Sequence, residues 1–134
     1  MVVIRQSLGS SQLGVGDQSP VRLMGILNLS PESFYKESYI SSEFLLAKVK
    51  TDVSNGASIL DFGARSTAPW SEPITLEEEY NRVEEALKLS LPHIPKQIIV
   101  SIDTQYAEIA RLAVHMTRKY QLSLLINDIS SFQT

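Results

Sequence analysis

The chain has 134 residues, 43% of them hydrophobic and 20% charged, the balance of one globular domain large enough to bury a core. A formal charge of −3 weighs against a nucleic-acid backbone as the main partner, and the lack of cysteine excludes disulfides and thiolate metal sites. No apolar stretch approaches the roughly 20 residues that span a bilayer, and Met1-Val-Val-Ile-Arg5 lacks the h-region of a signal peptide, so a cytoplasmic location is expected, with no membrane or nucleic-acid partner.

Residues 1–21 combine a short strand-like start with Gly9, Gly14, Gly16 and Pro20 among polar residues, which predicts a strand or hairpin ahead of a repeating part. From residue 22 to 134 strands and helices alternate. The first strand is predicted over 22–29 and is followed by the loop Ser30-Pro-Glu-Ser-Phe-Tyr-Lys-Glu-Ser38. Ser41 or Ser42 then caps a helix with Leu46, Val49 and Val53 at helical spacing, and Asn55-Gly56 stops it. A second strand over 58–62 leads into the loop Gly63-Ala-Arg-Ser-Thr-Ala-Pro-Trp-Ser-Glu-Pro73. Thr75 and Glu78 have capping-box spacing, and Glu77, Glu78 and Glu79 suit the positive end of the helix dipole. Leu76, Tyr80, Val83 and Leu87 form that helix's apolar face; Pro92 and Pro95 close it. A third strand over 97–102, a helix from about Gln105 to Lys119 with Ile109, Ala113 and Met116 inward, and a fourth strand over 122–126 complete the series.

The pattern is β-α-β-α-β-α-β, an α/β chain built from parallel strands with right-handed crossovers. It fits either an open doubly wound sheet or half of a (β/α)8 barrel. A whole barrel takes about 250 residues, so this chain would supply about the first four β/α units. An uncovered last strand leaves an exposed edge, which leads to the expectation of a truncated chain or one completed by a second copy, a homodimer.

Four apolar runs end on a polar amide or carboxylate: Leu23-Met-Gly-Ile-Leu-Asn28, Ser58-Ile-Leu-Asp61, Ile98-Ile-Val-Ser-Ile-Asp103 and Leu122-Ser-Leu-Leu-Ile-Asn127. Ligands gather where parallel strands end, so Asn28, Asp61, Asp103 and Asn127 are candidate site residues. Asn28 offers an amide oxygen to a hard cation such as Mg²⁺, or else ties off a turn. Arg65, Ser66 and Thr67 with the backbone near Gly63 suit a phosphate or diphosphate, or else form a solvated loop. The oxygen pairs of Asp61 and Asp103 match a heterocycle with an N–H beside an exocyclic amine, and Asn127 adds one donor and one acceptor. The competing reading makes Asp103 or Thr104 a helix N-cap. Trp70 could stack on a ligand or cover a core edge; His93 and His115 lack partners at useful spacing and are assigned to structure or surface.

Taken in order, Met24-Gly-Ile-Leu-Asn-Leu-Ser-Pro-Glu-Ser-Phe34, Gly56-Ala-Ser-Ile-Leu-Asp-Phe-Gly63 running on to Ser66-Thr67, Ser101-Ile-Asp-Thr104 and Ile126-Asn-Asp-Ile129 resemble the dihydropteroate synthase branch of the pterin-binding family over residues 21–131. The resemblance implies a (β/α)8 barrel behind a short hairpin. It implies a transferase of folate or related pterin biosynthesis that joins a dihydropterin methyl diphosphate to an arylamine, p-aminobenzoate, releasing diphosphate with Mg²⁺ help. By the same resemblance Asn28 contacts metal and diphosphate, Thr67 contacts diphosphate, and Asp61, Asp103 and Asn127 line the pterin pocket. Arg65-Ser-Thr-Ala-Pro-Trp70 stands where bacterial members have Glu-Ser-Thr-Arg-Pro-Gly, and is closer to archaeal ones. The family's later Asp, Lys, Arg and His fall outside these residues, so the 134 residues alone are expected to be an inactive half. Two other readings remain open: a methyltetrahydrofolate-type methyltransferase domain, and a non-catalytic half-barrel that binds pterin or self-associates.

Overall fold

The computed structural model describes residues 4–8, 11–30, 42–66 and 68–131. Strands β1 (Ile4–Leu8) and β2 (Ser11–Val15) pair antiparallel within residues 1–21, where the sequence predicts a strand or hairpin. The alternating part follows as β3 (Leu23–Asn28), α1 (Ser42–Ser54), β4 (Ala57–Gly63), α2 (Leu76–Ser90), β5 (Ile99–Asp103), α3 (Ala107–Lys119) and β6 (Leu124–Asn127), with a 3₁₀ turn over Leu91–His93 after α2.

Local chemistry sets these limits. Asn55 and Gly56 end α1, and Gly56 takes φ +95°, a left-handed conformation that costs glycine no Cβ clash. Thr75 and Glu78 exchange the two bonds of the expected capping box, with Thr75 Oγ1 accepting from the Glu78 N–H at 3.1 Å and Glu78 Oε2 accepting from the Thr75 N–H at 2.9 Å. Pro92 falls in the 3₁₀ turn that closes α2.

The strand order is β3-β4-β5-β6, all parallel. Each strand therefore lies beside its sequence neighbour, with no point where the winding reverses. Helix α1 packs on α2 and α2 on α3, a single layer against one face of the sheet. A doubly wound sheet needs a reversal and helices on both faces, so the sequence's two open architectures resolve in favour of barrel-type winding, four β/α units of a (β/α)8 fold.

Alternation divides each strand between two faces. Leu27, Leu60, Phe62, Val100 and Ile102 point to the helices and pack with Leu45 and Val49 of α1, Val83 and Leu87 of α2, and Ile109 and Ala113 of α3. Gly25 lies on that same face, where a Cβ would come within 2.6 Å of Asp52 Oδ2 and 3.0 Å of Leu60 Cδ2; α1 can sit this close only over a glycine. Met24 and Ile26 alternate onto the opposite face and are exposed. Among the described residues, no helix is long and apolar enough to cross a membrane.

Candidate functional site

The parallel register aligns Asn28 with Gly63, Gly63 with Asp103, and Asp103 with Asn127. Three of the four residues singled out at strand ends thus share one row across the C-terminal edge of the sheet. With strands about 4.8 Å apart, the row runs about 14 Å. Asp61 lies one layer below, opposite Ile26 on one side and Ser101 on the other. Its parity is that of Gly63, so Asp61, Ser101, Asp103 and Asn127 share the face turned away from the helices. Gly63 leaves a gap in the row between Asn28 and Asp103, above Asp61.

Asp61 is 5% exposed and accepts a hydrogen bond from Ser101 Oγ at 2.5 Å. That donor meets part of the cost of burying a carboxylate. Asp103 is half-buried and has no hydrogen bond to its carboxylate among the described residues. Burial, followed by the nearby charges of Asp61, Glu79 and Asp128, pushes its pKa up to about 6. A carboxylate held in this way gains from any ligand that brings N–H donors to it.

Asn28 Oδ1 accepts from the Ser30 N–H at 3.0 Å, so the turn-closing reading of this residue holds in this structure. Asn127 is exposed, and its carbonyl accepts from the Thr104 N–H at 3.1 Å. Thr67 and the loop residues 31–41 lie outside the described residues. The N-cap reading of Asp103 and Thr104 does not hold: α3 starts at Ala107 with Tyr106 at its N-cap and no side-chain cap. Trp70 is 64% exposed. His93 and His115 are exposed, as expected.

Three side chains have roles that sequence reasoning did not give: Glu79, Arg65 and Ser101. Glu79 is a first-turn acid as expected but is also 1% exposed, and it accepts from Arg65 Nε at 2.7 Å and from Thr104 Oγ1 at 2.9 Å. Arg65 is accordingly no solvated loop cation, since it is ion-paired to Glu79 and lies over the Tyr106 ring, 5.1 Å from guanidinium carbon to centroid. The signal for Glu79 was its spacing from Val83 and Leu87, which puts an acid on the apolar stripe of α2. The signal for Ser101 was its parity with Asp103.

Among the described residues no three carboxylates or histidines converge as a metal site. Asn28 supplies a single neutral oxygen. That donor set fits Mg²⁺ as one ligand among waters and phosphate oxygens, and does not fit a metal held by protein side chains alone.

Amide and carboxylate groups thus stand in a row at the C-terminal edge of barrel-wound parallel strands. The chain belongs to the pterin binding enzyme family, which matches residues 24–134. Within it, the chain is similar to the dihydropteroate synthase of Clostridium beijerinckii, 35% identical over 127 residues covering 94% of this chain and 44% of that protein. It is also similar to the solved Yersinia pestis dihydropteroate synthase in complex with a sulfonamide drug, with TM-score 0.78, 27% identity, and coverage of 97% of this chain and 44% of that one. A third similarity is to the Coxiella burnetii dihydropteroate synthase in complex with pteroic acid, with TM-score 0.70, 28% identity, and coverage of 90% and 39%. The chain thus spans less than half the length of each of these proteins.

Proposed function

We propose that these residues form the pterin side, and part of the diphosphate side, of a dihydropteroate synthase site. The observation that carries the reading is the stack of Asp61 and Asp103 on one face of adjacent strands, flanked in the row by Asn127 and Asn28. The two carboxylates present paired acceptors, and a pterin edge presents paired N–H donors. Asn127 complements a ring edge of mixed character. The Coxiella burnetii protein's pteroic acid is a ligand of this chemical kind.

In the proposed reaction the bond between the pterin methylene carbon and the diphosphate oxygen breaks, and diphosphate leaves with the electron pair. The arylamine nitrogen, of p-aminobenzoate type, forms the new C–N bond and gives up a proton. The protein's share is to hold the ring so that the methylene meets the amine. By the family resemblance Asn28 and Thr67 are assigned to the diphosphate, and Mg²⁺ bound with it would neutralise the leaving charge.

The test is a titration of the whole protein that carries this chain. A pterin alcohol lacking diphosphate, and the corresponding pterin diphosphate with Mg²⁺, are each followed by fluorescence. Both should bind, the diphosphate more tightly, and Asp61→Asn should weaken both. Addition of p-aminobenzoate should then release diphosphate. Pterin binding to which the diphosphate adds no affinity would point away from the synthase and toward a methyltransferase-type pterin domain.

A further inference from the structure

A carboxylate as buried as Glu79 is costly unless both oxygens find donors. Here the donors come from two different loops. Arg65 in the β4–α2 loop donates to Oε2, and Thr104 in the β5–α3 turn donates to Oε1. Thr104 Oγ1 also accepts from the Tyr106 N–H at 3.2 Å, and Arg65 lies over the ring of the same Tyr106. The Thr104 N–H is bound to the Asn127 carbonyl on β6. The four residues from Asp103 to Tyr106 are therefore pinned by α2, by the β4–α2 loop and by β6.

A buried ion pair adds little stability over well-packed apolar side chains, whereas removing one partner is expensive. What Glu79 offers is therefore mainly its location. It ties the loop that runs into Ser66-Thr67 to the turn that begins at Asp103. Asp103 has no hydrogen bond to its own carboxylate among the described residues, so its aim depends on the backbone that Thr104 anchors.

We propose that Arg65, Glu79 and Thr104 are positioning residues that hold Asp103 in fixed relation to the β4–α2 loop so that one ligand can engage both. The inference rests on the pterin-site reading above. The three residues do not touch the ligand themselves. They act through the backbone of Asp103, and the charges facing Asp103 are Asp61 from β4, Glu79 from α2 and Asp128 after β6, with Arg65 offsetting Glu79.

The experiment compares the whole protein carrying this chain with its Thr104→Val, Thr104→Ser and Arg65→Met variants. The readouts are the Kd for a pterin alcohol by fluorescence, the Kd for inorganic diphosphate with Mg²⁺, and the Tm. Loss of a buried hydrogen bond to a charged group should weaken pterin binding by about tenfold in Thr104→Val. In that variant diphosphate affinity should stay unchanged, and Thr104→Ser should restore the pterin affinity. Arg65→Met should weaken the pterin similarly, and it decides alone if Thr104→Val does not fold. Unchanged pterin affinity in Thr104→Val and Arg65→Met overturns the proposal. So does a parallel loss of both ligands in Thr104→Val that tracks Tm, or a failure of serine to rescue. If the unaltered protein binds no pterin, the pterin-site reading fails first and this inference with it, a result visible before any variant is made.

Discussion

Replacing Asp103 by asparagine separates what this carboxylate does for a ligand from what it costs the fold. Its pKa is raised from 3.8 to about 6 by burial and by the charges of Asp61, Glu79 and Asp128. A shift of roughly two units, at about 1.4 kcal/mol per unit, is about 3 kcal/mol before solvent screening. The side chain is only half-buried, and screening reduces this to about 1–2 kcal/mol. The sign follows from linkage. Between pH 3.8 and about 6 the native state holds more protons than the unfolded chain, so stability falls as pH rises through that window. Asp103→Asn has no such proton to lose. It should be more stable than the unaltered protein by about 1–2 kcal/mol at pH 7.5, with the gain vanishing toward pH 4. Urea denaturation at the two pH values reads this directly, as a midpoint shift of about 0.5–1 M at neutral pH for an m-value near 2 kcal/mol/M. Pterin affinity should fall in the same variant, because an amide has one acceptor where the carboxylate has two. A variant that is less stable at pH 7.5, or whose advantage is the same at pH 4, would refute the charge argument.

Other consequences follow from contacts already described. Ser101→Ala removes the donor to buried Asp61 and should cost about 1–3 kcal/mol in chemical denaturation. Gly25→Ala drives a Cβ into Asp52 and should destabilise by about 1–3 kcal/mol; pairing it with Asp52→Ala should recover part of that loss, a non-additivity that a double-mutant cycle detects. Thr75→Ala breaks the α2 capping box, for an expected loss of about 1 kcal/mol in thermal melting. Asn28→Ala should weaken diphosphate binding with Mg²⁺ present and change it little with Mg²⁺ chelated, as isothermal titration would show.

Strands and helices were legible because each carried its own local signal. The capping pair Thr75 and Glu78, the stop at Asn55-Gly56 and the apolar runs need no knowledge of the tertiary fold. Barrel-type winding was not legible from periodicity, since buried parallel strands read alike in both architectures; strand order decides it. The strand-end placement of Asn28, Asp103 and Asn127 was legible because strand length sets where a row ends. The first-turn placement of Glu77, Glu78 and Glu79 was legible from the helix dipole, but the dipole suits all three alike and does not give Glu79 its buried partners. Its i, i+4, i+8 spacing with Val83 and Leu87 marks it as the one that turns inward, and its burial confirms this. The partner of Arg65 was hidden, being 14 residues away and fixed by tertiary contact.

Gly63 carries a consequence of a different kind. It stands mid-row between Asn28 and Asp103, and a Cβ there would meet Asp103 no closer than 3.5 Å, an ordinary contact. Its backbone is not left-handed, so an alanine would neither strain the chain nor clash. Foldedness is therefore blind to this position, while the opening above Asp61 is not. Screens that rank variants by yield or melting temperature would pass Gly63→Ala as silent. The same change would add a methyl group to the row above Asp61, the carboxylate proposed to meet the pterin. If the proposed pterin site holds, variation at this glycine would act on the ligand and leave the scaffold unaltered.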